Sequence, residues 1–144
     1  TTMSDIVYLN GGFMPIEEAR IPVLDRGFIF GDGVYEVIPV YSRRPFRLAE
    51  HLRRLQYSLD KVRIDNPLDA DEWARLLGEI IRRNAGDDQS VYLQVTRGNP
   101  GDRDFAFPSP PGAPERRRRA ARPAADPARP APRRSPRPAP AALP

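Results

Sequence analysis

The spacing of apolar residues changes period twice along this chain, and that change limits the fold more than any other feature. Leu48, Leu52, Leu55, Leu59 and Val62 recur at intervals of 4, 3, 4 and 3, which marks one face of an α-helix. A second helix is predicted from about Asp71 to Asn84, burying Trp73, Leu76, Leu77, Ile80 and Ile81. Asp69 and Asp71 are both candidate caps for it, and Gly86 is its stop. On either side of the helices the sequence reads as strand. Ile6 to Leu9 reads as a strand that Asn10-Gly11-Gly12 turns back through Phe13. Glycines 27, 31 and 33 permit a tight turn, and Val34 to Tyr41 that follows is β-branched and aromatic, the composition of a strand. A turn of that kind places a polar side chain, Tyr35 or Glu36, at the rim of a pocket. Ser42-Arg43-Arg44-Pro45 reads as a turn. Ser90 to Arg97 sets Val91, Leu93 and Val95 against Tyr92, Gln94 and Thr96, a half-buried strand. Together these predict a small α+β domain, an antiparallel sheet with two helices.

That pattern stops at Pro108. Eleven of the last 36 residues are proline and none is aromatic or β-branched, so this stretch has little apolar surface to offset its conformational entropy. The expected organisation is one domain over 1–108 and a disordered Pro/Arg/Ala-rich tail over 109–144, with some polyproline II character. Charge divides the same way. Residues 1–108 carry 14 Lys+Arg against 17 Asp+Glu, a net of −3. The remainder carries 9 Arg against Glu115 and Asp126, a net of +7, and the two make the overall +4. The domain is therefore mildly acidic, and the basic balance argues for no nucleic-acid partner there. Arg116 to Arg119 and Arg133-Arg134 would form a basic arm toward phosphates, but no aromatic residue is interleaved to stack on bases.

The chain has no cysteine, and His51 is its one histidine. Disulfides, thiolate metal sites, thiol nucleophiles and multi-histidine metal sites are excluded, and no metal is expected. No apolar run approaches the roughly 20 residues that span a bilayer, and no signal segment opens the sequence, so no membrane association and a cytoplasmic location are expected.

Three motifs carry a resemblance. LDRGFIFGDGVYEVIPVY at Leu24 to Tyr41, FRLAEHLRRLQYS at Phe46 to Ser58 and VYLQVTRG at Val91 to Gly98 occur in the order and spacing of the class IV aminotransferases, which depend on pyridoxal phosphate (PLP). Over about residues 5–108 the chain resembles their small N-terminal domain, most closely the D-amino-acid transaminase branch. Branched-chain aminotransferases differ at the first motif, with phenylalanine-glutamate-glycine where this chain has Val34-Tyr35-Glu36-Val37. Aminodeoxychorismate lyases usually follow the glycine turn with cysteine-phenylalanine. Both remain alternatives within the family. The resemblance implies amino-group exchange between a D-amino acid, such as D-alanine, and a 2-oxo acid, in a homodimer whose sites lie between two domains.

Carried over residue by residue, the resemblance makes Arg54 the arginine that grips the cofactor phosphate. A guanidinium suits that task because its forked donors match a phosphate dianion. Without the motif, Arg54 reads as a solvated arginine on the polar side of its helix. Tyr35 and Tyr92 match pocket tyrosines near the substrate carboxylate, and otherwise read as strand tyrosines with one wet end. Arg103 matches an arginine that traps the carboxylate together with a histidine two residues on. One extra residue stands between Gly98 and Arg103 relative to the family pattern, and Phe105, which has no hydrogen bond to offer, occupies the histidine's place. His51 reads as a helix packing or capping residue.

The Schiff-base lysine of the family lies several dozen residues beyond the VTRG strand, whereas Lys61 is the one lysine here. Seven residues past Arg54, it sits about 10 Å along the helix axis and reads as a solvated charge. The expectation is therefore a chain without a catalytic residue, inactive by itself, whose cofactor binding rests on Arg54. The competing expectation is a non-catalytic truncated fragment or an interaction domain with a basic arm. Because the resemblance ends near Pro108, the tail is read as an out-of-frame translation of a GC-rich gene, ahead of a selected segment.

Overall fold

The computed structural model describes residues 5–108; the expectations for 109–144 fall outside the described residues. The chain opens with a hairpin of β1 (Ile6–Leu9) and β2 (Gly12–Pro15), in which Leu9 faces Gly12 and Tyr8 faces Phe13. Asn10 and Gly11 turn it with φ of 47° and 102°, the paired positive angles that match the twist of flanking strands. The rings of Tyr8 and Phe13 meet edge to face at 5.2 Å.

The glycine motif contains an element that its composition hides. Helix α1 (Arg26–Phe30) fills the turn, with Asp25 accepting from the Gly27 N–H at 2.8 Å and Gly31 ending it at φ 63°. Strand β3 (Gly33–Tyr41) begins at once, one residue earlier than predicted. A side chain at Gly33 would bring its Cβ to 2.7 Å from the Val95 carbonyl, so only glycine lets β3 start this close to its neighbour. Within the predicted turn, Ser42 and Arg43 form the bend, at φ 47° and 62°, and Arg44–Pro45 pairs back on β3 as β4. Two non-glycine residues at positive φ store strain. It is offset by a later segment of the chain: the Ser42 N–H donates to Asp88 at 2.9 Å, and the Arg43 guanidinium donates to the Ile81 and Gly86 carbonyls at 2.7 and 2.9 Å.

Helices α2 (Leu48–Val62) and α3 (Ala70–Arg83) follow. Of the two candidate caps, Asp69 is the one used. It accepts from the Glu72 N–H at 2.8 Å, and Glu72 accepts from the Asp69 N–H at 2.8 Å, a reciprocal capping box. Strand β5 (Gln89–Thr96) then pairs antiparallel with the full length of β3, from Gly33 facing Thr96 to Val40 facing Gln89. The fold is α+β as predicted, with its strands divided between two sheets: β1-β2, and β4-β3-β5 with β3 in the centre. Asn84 ties the hairpin to α3, its side-chain amide exchanging two 2.9 Å hydrogen bonds with the Ile6 backbone.

The core lies where the helices cover one face of β3 and β5. Ile38, Leu55, Leu59, Trp73, Leu77 and Leu93 are buried together, and the Trp73 indole N–H is satisfied by Asn66 at 2.9 Å. Ile80 and Leu76, predicted as core, are half-buried at the margin of α3. The opposite sheet face is bare: Tyr35, Val37, Tyr41 and Tyr92 are all exposed.

Candidate functional site

Alternation along β3 decides which side each predicted residue serves. Tyr35 points to the open face and is 64% exposed, whereas Glu36 turns inward beneath α2 and is 2% exposed. Of the two residues left open for the rim, Tyr35 is therefore the one at the surface. Register brings Tyr92 of β5 opposite Val37. From there its ring stacks on that of Tyr35, with centroids 5.6 Å apart and an interplanar angle of 21°. The Tyr92 hydroxyl donates to Gln94 Oε1 at 3.1 Å. Two tyrosines singled out by the sequence are thus adjacent, with their polar ends in solvent.

Arg54 lies on the outer side of α2 and is 64% exposed, as its place on the helix predicts. It is nevertheless not a free surface charge. Its Nε donates to Glu36 Oε1 and its Nη2 to Glu36 Oε2, both at 2.7 Å, the bidentate fork that gives arginine its geometric specificity. His51, one turn earlier, places Nδ1 2.8 Å from Glu36 Oε2. An ionised carboxylate only accepts, so this nitrogen carries the hydrogen. His51 thus partners a buried carboxylate, rather than serving as a plain packing or capping residue. Burial pulls the Glu36 carboxyl upward, but hydrogen bonds and charge from Arg54 and His51 outweigh it and hold the group below the ordinary carboxylate range. The same bond raises the Arg54 guanidinium above its ordinary value, and Tyr35 is near enough to add to that.

Arg103 rests on aromatic rings. Its guanidinium lies over the rings of Phe30 at 5.2 Å and Phe105 at 5.6 Å. Phe105 is 76% exposed and contacts Phe30 at 5.1 Å, so at the position where the family pattern has a histidine this chain has an aromatic platform. The segment bearing Arg103 is fixed by an ion cluster that the motifs alone do not reveal. Arg26, 4% exposed, donates through Nε to Asp32 at 2.7 Å and through Nη1 to the carbonyls of Asp104 and Ala106 at 2.6 and 3.2 Å. Arg97 donates to the same Asp32 at 2.7 and 3.1 Å and to the Val62 carbonyl at the end of α2 at 2.6 Å. The available signal was an acidic residue between two glycines, close to an arginine within a helix-starting motif.

Lys61 is exposed, its Nζ 5.2 Å from the Tyr57 ring centroid. No cluster of three or more metal-ligating side chains occurs among the described residues, and no helix among them is long and apolar enough to cross a membrane. A shallow groove of about 430 Å³ between Phe13 and the outer face of α3 shares none of the candidate residues.

The helix-covered antiparallel sheet thus carries a buried carboxylate gripped by an exposed arginine on its helix side and stacked tyrosines on its open face. The chain belongs to the class IV aminotransferase family, whose sequence profile matches residues 33–142. It is 34% identical to the D-alanine aminotransferase of Staphylococcus epidermidis over 108 residues, 75% of this chain and 38% of the relative. With that of Staphylococcus aureus it shares 35% over 104 residues, 72% of this chain and 36% of the relative. Among solved structures, the branched-chain amino acid aminotransferase of Escherichia coli matches with TM-score 0.65 and 25% identity, over 76% of this chain and 36% of that one. A hypothetical aminotransferase from Mycobacterium tuberculosis, in its PLP-bound form, matches with TM-score 0.60 and 26% identity, over 67% of this chain and 35% of that one. The chain thus spans little more than a third of the length of these curated relatives.

Proposed function

We propose that this chain is the phosphate- and substrate-facing part of a D-amino-acid transaminase, acting on a D-alanine-type amino acid and a 2-oxo acid. The observation that carries the reading is the stacking of Tyr35 on Tyr92 at 5.6 Å, which unites the two tyrosines assigned to the carboxylate pocket. Arg54 fits the phosphate end of PLP, because its outer donors are exposed and its charge is held on by Glu36. Bound PLP supplies the electron sink for amino-group exchange. Arg54 would hold its phosphate, Tyr35 and Tyr92 would orient the substrate carboxylate, and Arg103 would add a charge to that end. Lys61 does not fit the Schiff-base role, since it lies outward on α2 against Tyr57. The chain by itself is therefore inactive, and a homodimer of the full-length protein would complete the site.

Mixed with PLP, D-alanine and 2-oxoglutarate, the purified chain is expected to bind cofactor without turnover, and Arg54→Ala to abolish that binding. Borohydride should fix no label on Lys61. A wild-type chain that binds no PLP overturns the phosphate assignment, and a label on Lys61 with turnover overturns the inactivity. The likeness to branched-chain enzymes in fold supports a second reading within the family. In a complemented full-length protein, preference for L-leucine over D-alanine would favour it.

A further inference from the structure

We propose that Glu36, backed by His51, is a positioning residue that fixes the Arg54 guanidinium with its outer edge presented to a phosphate. This rests on the reading of Arg54 as the phosphate-holding residue and deepens it. A long, exposed arginine ordinarily samples many rotamers and loses that freedom when it binds. Here the loss has already been met in the fold. Glu36 is 2% exposed on the central strand and takes the Nε and Nη2 donors at 2.7 Å each. His51 holds the same carboxylate from the other side at 2.8 Å. Of the five N–H donors of a guanidinium, three remain on the edge turned away from Glu36, on a residue that is 64% exposed. The buried side of the plane is fixed and the solvent side is open, the arrangement that rigid recognition of a tetrahedral oxyanion needs.

Charge and orientation predict opposite outcomes, which makes the role decidable. If Glu36 only neutralised Arg54, removing its charge would strengthen the attraction for a phosphate dianion. If Glu36 orients Arg54, removing it releases the guanidinium and weakens binding. If its role were purely structural, Glu36→Gln would lower the melting temperature and leave phosphate affinity unchanged. The test titrates the full chain with PLP and with inorganic phosphate, using pyridoxal as the control without phosphate, and follows the Arg54 Nε–H resonance by NMR. We expect Glu36→Gln to weaken PLP binding about tenfold, the scale seen when residues that orient ligand-holding side chains are lost. In an Arg54→Ala background the same change should have no further effect. In the wild type, the Arg54 Nε–H should stay protected from exchange while phosphate shifts the Nη signals, a readout that does not depend on the variant folding. Binding that is unchanged or tighter in Glu36→Gln, or loss of Nε–H protection on adding phosphate, overturns the positioning role alone. A wild-type chain that binds neither PLP nor phosphate overturns the phosphate assignment, and this role with it.

Discussion

Asp32 accepts hydrogen bonds from two arginines, Arg26 at 2.7 Å and Arg97 at 2.7 Å, and its environment sets how the domain responds to acid. Burial pulls this carboxyl upward, but the bonds and charges of Arg97 and Arg26 outweigh it and leave it below the ordinary range; Glu36 behaves alike. A carboxylate lowered in the fold contributes stability that is complete above its unfolded value, near about 4.3 for Glu and 3.9 for Asp. That contribution is lost as pH falls through the lower folded value. Melting temperature should therefore hold steady from neutral pH to about 5 and decline below about 4, and thermal melts across that range check it. Asp32→Asn should flatten that decline. It should also cost about 3–5 kcal/mol at neutral pH, because Arg26, only 4% exposed, is left without a counter-charge. Urea denaturation of the two proteins measures that difference. An equal stability would mean that the Asp104 and Ala106 carbonyls suffice to hold Arg26 in place.

At the scale of elements, the helices were legible because their stripes are regular, and the capping box marks where one of them begins. Asp69→Ala should lower stability by about 1 kcal/mol, read from the urea midpoint, while Asp71→Ala should leave it nearly unchanged since Asp71 lies inside the first turn. Helix α1 was not legible: five residues are too few for a periodic stripe, and its three neighbouring glycines read as a turn. The two sheets were hidden for a different reason. The composition of β1 and the alternation in β5 mark them as strands but do not name their partners; Asn84, whose amide captures the Ile6 backbone, holds β1 against the end of α3. Among the candidate site residues, Arg54, Tyr35 and Tyr92 were singled out through their motifs. Glu36 was read as a possible rim residue, although Val34, Glu36, Ile38 and Val40 share one face, so the pattern already placed its carboxylate among inward residues. His51 was under-read for the same reason, since its partner lies 15 positions away.

For the whole molecule, the exposed sheet face is expected to govern self-association. Tyr35, Val37, Tyr41 and Tyr92 are between 42% and 64% exposed, an adjoining set of apolar and aromatic side chains of the kind that promotes association. Val37→Lys should slow self-association, seen by light scattering at rising concentration, at a stability change within about 1 kcal/mol. If scattering is unaltered, some other surface governs association. Order of assembly is a separate matter, and the link from Arg97 to Asp32, 65 positions apart, can form only late in it. A ribosome releases residues from the first onward, so the β1-β2 hairpin and both long helices can form while the last strand is still unmade. Glu36 and Ile38 already have α2 above them, but β3 has no long neighbour until Gln89–Thr96 emerges. Arg97 follows that strand directly and joins Asp32 to the end of α2 through the Val62 carbonyl. Synthesis halted before Gln89 would leave a nascent chain whose β3 lacks its long partner along one edge, open to chaperones and to other nascent chains.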